Sequence, residues 1–194
     1  MNSTSSMLPD ALFVADNLAL DFINSEYGID DQRHDCFIDD QSVVSWLKMA
    51  GLSGRADQQT PSGLLDLARR LRECSRTIVK AAMAGVATDL TLVNQVLEAG
   101  RPVRALSWDN EDQAFRIVSR QRDDSPASLL APVAESLASL VSNDKFEFVR
   151  QCEAHDCVLL FHDLTKSHRR RWCSMTTCGN RMKVAAFRSR KKVE

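Results

Sequence analysis

The sequence predicts an α+β protein: a mainly helical N-terminal body with a small antiparallel hairpin, then a small C-terminal module of a hairpin and a helix. Three observations carry this reading. Apolar residues recur at helical spacing along most of the first 142 positions, and one stretch, 105–118, alternates instead. Four of the six cysteines fall as two pairs in the last 43 residues. With 194 residues, 44% of them hydrophobic, the chain can bury a core without disulfides.

The elements follow in order. Residues 16–26 read as a short helix capped at Asp16-Asn17, with Leu18, Phe22 and Ile23 turned inward. Residues 30–40 are polar and acidic and read as a loop. In 42–50, Val43, Trp46, Leu47 and Ala50 share one helical side, and Gly51 supplies the stop. Residues 53–61 form a second loop. The clearest helix is 62–84, with Leu64, Leu67, Ala68, Leu71, Cys74, Ile78, Val79 and Ala82 in one stripe. A further helix, 88–99, is capped by Thr88 or Asp89 and ends at Gly100. The alternating stretch places Leu106 and Trp108 on one arm, a turn at 109–112, and Phe115 and Ile117 on the other. A last body helix, 128–141, carries Leu129, Leu130, Val133, Leu137, Leu140 and Val141 inward. Asn143-Asp144 breaks it and divides a body, 1–144, from a module, 145–194.

Charge divides the chain at nearly the same place. The whole carries a net −1, yet residues 150–194 hold eleven Lys or Arg against four acids, leaving −8 on the first 149. Between Lys166 and Lys192 there are ten bases and no acid. A basic tail on an acidic body predicts an anionic partner held by the tail alone. The polar start at 1–10 has no basic segment leading into an apolar one, and no run approaches a membrane span. Those features predict a cytoplasmic protein without a membrane partner, in a reducing compartment where cysteines serve as ligands or buried thiols.

The cysteine spacing is specific. Cys152 and Cys157, then Cys173 and Cys178, give C-x4-C, fifteen residues, C-x4-C. Two tight pairs at this separation are the pattern of one structural zinc site, and a small zinc finger of hairpin plus helix, treble-clef-like, follows. Each pair converges two thiolates without long-loop closure. His155 lies within the first pair and is an alternative ligand; an exposed histidine is the simpler reading. His162 and His168 read as hairpin-surface residues, with His168 a possible phosphate contact. The apolar residues available inside the module, Val158, Leu159, Leu160, Phe161, Trp172, Met175 and Phe187, are few. Metal binding is therefore expected to carry the folding of the tail, and chelation to spare the body.

Basic residues surround the cysteines. Arg169, Arg170 and Arg171 run into Trp172-Cys173. Beyond Cys178, residues 181–193 have high helix propensity and present Arg181, Lys183, Arg188, Arg190, Lys191 and Lys192 around a small apolar face of Met182, Ala185, Ala186 and Ser189. These nine cations are the candidate DNA-binding set, with duplex DNA as the partner; a solvated charged face is the alternative. Asn180 reads as a helix cap ahead of an adenine contact.

The run Arg170-Arg171-Trp172-Cys173-Ser174-Met175 followed by Cys178-Gly179-Asn180-Arg181-Met182-Lys183 resembles the CGNR zinc finger. The opening Leu18-Ala19-Leu20-Asp21-Phe22-Ile23-Asn24-Ser25, with Trp46-Leu47 and Ala50-Gly51-Leu52, is similar to the ABATE domain of stress-induced bacterial transcription regulators. The resemblance implies zinc on Cys152, Cys157, Cys173 and Cys178, a DNA-binding tail, and a helical body that senses a ligand. Phe187 stands where a Tyr or His is expected in many relatives.

Within the body, Asp21 and Asn24, three apart, and Trp46 are candidates for a pocket holding a small-molecule effector; capping and core packing are the competing uses. No phosphate loop, nucleophile elbow or catalytic zinc motif occurs, and an all-cysteine site has no open position, so no enzyme is expected. The reading is a zinc-dependent DNA-binding transcriptional regulator. Its alternatives are an RNA-associated basic finger and a thiol-based redox or metal sensor. Twofold operator symmetry predicts a homodimer, assigned here to the helical body.

Overall fold

The computed structural model describes residues 11–52 and 60–191. The predicted loop at 53–61 therefore lies mostly outside the described residues. So do the polar start at 1–10 and Lys192. Among the described residues the order is α1 (Leu18–Ile23), β1 (Glu26–Tyr27), β2 (His34–Asp35), α2 (Asp40–Met49), α3 (Leu64–Ala84), α4 (Thr91–Ala99), β3 (Val103–Asp109), β4 (Ala114–Arg120), α5 (Pro126–Val141), β5 (Val149–Gln151), β6 (Leu160–His162) and α6 (Asn180–Lys191). Each pair β1–β2, β3–β4 and β5–β6 is a two-stranded antiparallel sheet. The α+β class holds, with helices dominant. No helix among the described residues is long and apolar enough to cross a membrane.

Local chemistry sets the helix ends. Asn17 accepts from the Leu20 amide at 3.2 Å and starts α1. Asp39 and Ser42 form a reciprocal capping box at α2, and Gly51, at φ +78°, ends it. Ser125 caps α5 with Pro126 in its first turn. α1 sits at the centre: Ala19, Leu20, Phe22 and Ile23 are buried, and the helix packs against α3, α5 and β6.

Three expectations change. The first helix stops at Ile23: Asn24, whose amide still donates to Leu20 O at 2.9 Å, is its C-cap, and Glu26–Tyr27 beyond it pairs with His34–Asp35. Residues 30–40 accordingly hold a 3-10 turn and a strand as well as loop. Arg72, 3% exposed within the apolar stripe of α3, explains the pairing. Its guanidinium donates to both carboxylate oxygens of Asp35, at 2.7 and 2.8 Å, and to Ser25 Oγ at 3.0 Å. The fourth helix begins at Thr91, because Asp89 Oδ1 accepts from the Thr91 amide at 2.8 Å and hydroxyl at 2.6 Å.

The core is continuous from body to tail. Val149, Cys152, Ala154, Leu159, Leu160, Phe161, Cys173 and Cys178 belong to the same buried cluster as α1, α2, α3 and α5. Leu159, Leu160 and Phe161 are buried as expected, whereas Val158, Met175 and Phe187 are each at least 43% exposed. The tail thus draws much of its packing from the body.

Candidate metal centre and basic surface

The tail is assembled from its hairpin. β5 and β6 pair Val149 with His162 and Gln151 with Leu160, so that Cys152 leaves one strand and Cys157 precedes the other. The Cys152 amide donates to Leu159 O at 2.9 Å, and Cys157 to Ala154 O at 3.0 Å, closing the first pair into a turn. The second pair spans a single π-type turn, Met175–Gly179, that runs directly into α6. Gly179 is favoured there by contact rather than by dihedral, since a side chain would displace Met175 and crowd Trp172. A Cβ on it would lie 2.7 Å from Met175 Sδ and 3.1 Å from the Trp172 ring.

These turns bring the four sulfurs together, all within 4.8 Å of one another. Cys157 and Cys173 are 3.8 Å apart, and Cys173 and Cys178 are 3.5 Å apart. Four thiolates around zinc at bonds of ~2.3 Å would sit roughly 3.8 Å apart. The donor set and its spacing therefore fit one structural zinc. Four cysteine ligands close the coordination sphere, so bound zinc would serve architecture.

The thiols show why a cation is needed. Cys157 is pulled down to about 5 chiefly by the hydrogen bond from Cys173, and Cys173 is pushed far up by that same bond. Burial pushes Cys178 up to about 11. Beside the Cys157 thiolate, Cys173 and Cys178 resist ionisation, and a divalent cation would offset that cost. Two donors already face the sulfurs: the Cys173 amide reaches Cys152 Sγ at 3.4 Å, and Arg181 Nη2 reaches Cys178 Sγ at 3.3 Å. His155 stands outside the sulfur cluster, 77% exposed.

The predicted arginines occupy different settings. Arg170 is turned inward. It donates to Trp172 O at 3.0 Å and Val14 O at 2.7 Å, contacts Cys173 O, pairs with Asp16, and lies 4.4 Å over the Phe161 ring. Arg171 stacks 4.8 Å over Trp172 and bonds Glu153 at 2.6 Å. Arg181 pairs with Asp156 at 2.8 Å. Arg169, Lys183 and Arg188 are exposed. Arg190 and Lys191 lie on α6, but their side chains, like Lys192, are outside the described residues.

The histidines differ from expectation. His162 is buried, its Nε2 at 3.1 Å from Lys145 O; His168 stacks on Phe148 at 3.7 Å, with Nδ1 at 2.9 Å from Asp163 O. Asp163, fully buried, accepts from the Arg170 amide at 2.8 Å and the Thr165 amide and hydroxyl, which orders the turn before the arginine run. Sequence spacing gave no sign of that role. Val184 and Phe187 stay largely exposed on α6, while Met182 packs on the core.

The three body candidates do not converge on one ligand. Trp46 is 1% exposed, ringed by Phe13, Phe22 and Phe37 at 5.2 to 5.8 Å. Asp21 accepts from the Val14 and Ala15 amides, both at 2.9 Å. Burial raises its carboxyl to about 6 against those two bonds. Asn24 exchanges hydrogen bonds with Leu160 and borders a cavity of ≈ 390 Å³ together with Ile23, Glu26, Arg76 and Gln151. That cavity is lined from both body and tail.

A four-cysteine cluster, held by a hairpin and by the turn into a helix and joined to a helical body, defines a zinc-finger protein with an N-terminal partner domain. The chain belongs to the ABATE family, described as putative stress-induced transcription regulators, whose model matches residues 16–144. Residues 149–191 match the CGNR zinc finger. No curated protein matches the chain.

Proposed function

We propose that this protein is a zinc-dependent transcriptional regulator that binds duplex DNA through residues 145–194 and takes a small-molecule effector on its body, residues 1–144. Cys152, Cys157, Cys173 and Cys178 hold the zinc. One observation carries the reading: the sulfur cluster joins, through adjacent residues, the 169–171 arginine run and the start of α6. Both lie in a 27-residue stretch, 166–192, without an acid. A metal there fixes two cationic segments relative to each other, which a flexible basic tail cannot do. Arg169, Arg171, Lys183 and Arg188 face the phosphates in this account, with Arg181, Arg190, Lys191 and Lys192 completing the surface. Arg170 instead docks the finger. The cavity beside Asn24 supports an effector site, because a ligand there touches both halves of the chain.

The test is equilibrium binding of a labelled duplex as a function of salt. Six phosphate contacts from these eight cations, with Arg171 and Arg181 kept on Glu153 and Asp156, give a log-affinity against log-salt slope of roughly −5. Replacing Arg169, Lys183 and Arg188 by Ala should flatten that slope by about 3. A slope unchanged in the triple variant rejects this surface, and stronger competition by structured RNA than by duplex DNA rejects the partner.

A further inference from the structure

Among the described residues, the β3–β4 hairpin carries one large apolar face left mostly exposed. In its register Leu106 opposes Ile117 and Trp108 opposes Phe115, so two-residue periodicity puts all four on the same side. They are 69%, 62%, 46% and 70% exposed, in that order. Trp108 and Phe115 pack edge-on at 5.0 Å, so the aromatic pair is already ordered while its outer surface meets water. A two-stranded hairpin is marginally stable alone, and four large apolar side chains on its outer face add to that cost.

Charge along the hairpin identifies the occupant. The tip holds Asp109, Glu111 and Asp112, the two aspartates bridged to Arg116 on the opposite face, so that Glu111 carries most of its outward charge; Arg104 and Arg120 stand at the other end. Arg104 lies on the apolar face itself, two residues before Leu106. Such a surface complements a reversed copy of itself. A twofold axis lying between two stacked faces, perpendicular to the strands, sets each acidic tip over the other copy's arginine end. It also stacks the apolar centres. An axis parallel to the strands would oppose tip to tip and repel. Edge-to-edge pairing would leave the apolar face wet.

We infer that a second copy of this chain covers the β3–β4 face, forming an isologous homodimer by tip-over-base stacking of the two hairpins. The dimer is a property of the hairpin and requires neither nucleic acid nor the zinc-bound finger. This places the twofold on the hairpin rather than on the helices.

Sedimentation velocity on the full protein, without DNA, tests it. Wild type should sediment as a dimer at tens of micromolar, and Leu106→Lys with Ile117→Lys should sediment as a monomer with the same far-ultraviolet circular dichroism and zinc content. Arg104→Glu and Glu111→Arg should each weaken dimerisation by roughly tenfold or more. The combined R104E/E111R chain should recover most of that loss, which a merely structural role of either residue would not give. A monomeric wild type overturns the proposal, since another partner then owns the face. So does a dimer indifferent to the lysine pair. A double charge reversal that fails to restore the dimer overturns the tip-over-base arrangement.

Discussion

Asn24 and Leu160 exchange two buried hydrogen bonds: Asn24 Nδ2 donates to Leu160 O at 2.8 Å, and the Leu160 amide donates to Asn24 Oδ1 at 3.0 Å. The side chain at the end of α1 thereby acts as a strand neighbour for β6. Beside it, the His162 amide donates to Ala15 O at 2.8 Å and Arg170 to Val14 O at 2.7 Å. The segment 14–16 is thus held by Asp21 on one side and by the finger on the other. Body and finger share backbone hydrogen bonds as well as a core.

Asn24→Ala leaves the Leu160 amide and carbonyl without that partner in a buried place. The expected cost is about 2–4 kcal/mol in urea unfolding. A loss below half a kilocalorie would show that the join is held by packing alone.

Arg72→Met should be worse. Burial by itself would raise Asp35, but the Arg72 guanidinium holds its carboxyl below the ordinary range, and Glu26 is likewise kept low by its arginine partners. Removing the cation takes both short bonds from Asp35, which keeps Arg69 at 3.4 Å, while Glu26 keeps Arg33 and Arg76; the expected cost is about 3–5 kcal/mol. Adding Asp35→Asn should return part of the loss in a double-mutant cycle; strict additivity would contradict the pairing.

Asp21 gives a pH signature. Its folded value, about 6, lies above the ordinary 3.8, so the folded state holds the proton more tightly than the unfolded one. That stabilisation is complete below pH ~4 and is lost as pH rises through ~6, amounting to about 3 kcal/mol. Asp21→Asn keeps an acceptor for the Val14 and Ala15 amides and should flatten this window, with stability at pH 8 equal to wild type or higher. A variant that retains the decline between pH 4 and 6 would assign it to another group.

Arg170 and the exposed cations should separate in a paired measurement. Arg170→Ala removes contacts to Val14, Asp16, Trp172 and Cys173 and should lower the melting temperature together with any nucleic-acid affinity. Lys183→Ala with Arg188→Ala should lower affinity and leave the melting temperature within about 2 °C, as surface changes usually do. Equal melting losses in both would refute the distinction.

Chelation should act on part of the tail. The Leu160 and His162 amides are bonded to the body and should keep their hydrogen-exchange protection after metal removal, while 173–191 should lose theirs. Loss of protection along the whole of 149–191 would mean that the zinc, rather than the body, holds β6.

The parts legible in the sequence are those set by local chemistry. The helical stripes of α2, α3 and α5, the hairpin arms and the cysteine pairs each depend on neighbours a few residues away. What escaped the sequence depends on distant partners. β1–β2 is two residues per strand and is stabilised by Arg72, 37 positions from Asp35. Arg170 looks like Arg169 and Arg171 until the fold turns it toward Val14. Asp21 and Asn24 share one end of α1, and Trp46 on α2 packs against Phe22, yet contacts with the 14–15 amides, β6 and three phenylalanines decide their roles. His162 and His168 are packed because the module folds its own residues over them: Lys145 on His162, Phe148 and Asp163 on His168.

The whole reading of the tail rests on four thiolates of this chain gathering around a single zinc. X-ray absorption at the zinc K-edge of the purified protein tests it most directly. One zinc per chain with four sulfur neighbours at ~2.3 Å is the expected result. A protein without stoichiometric zinc, or a shell that requires nitrogen or oxygen ligands, would contradict it.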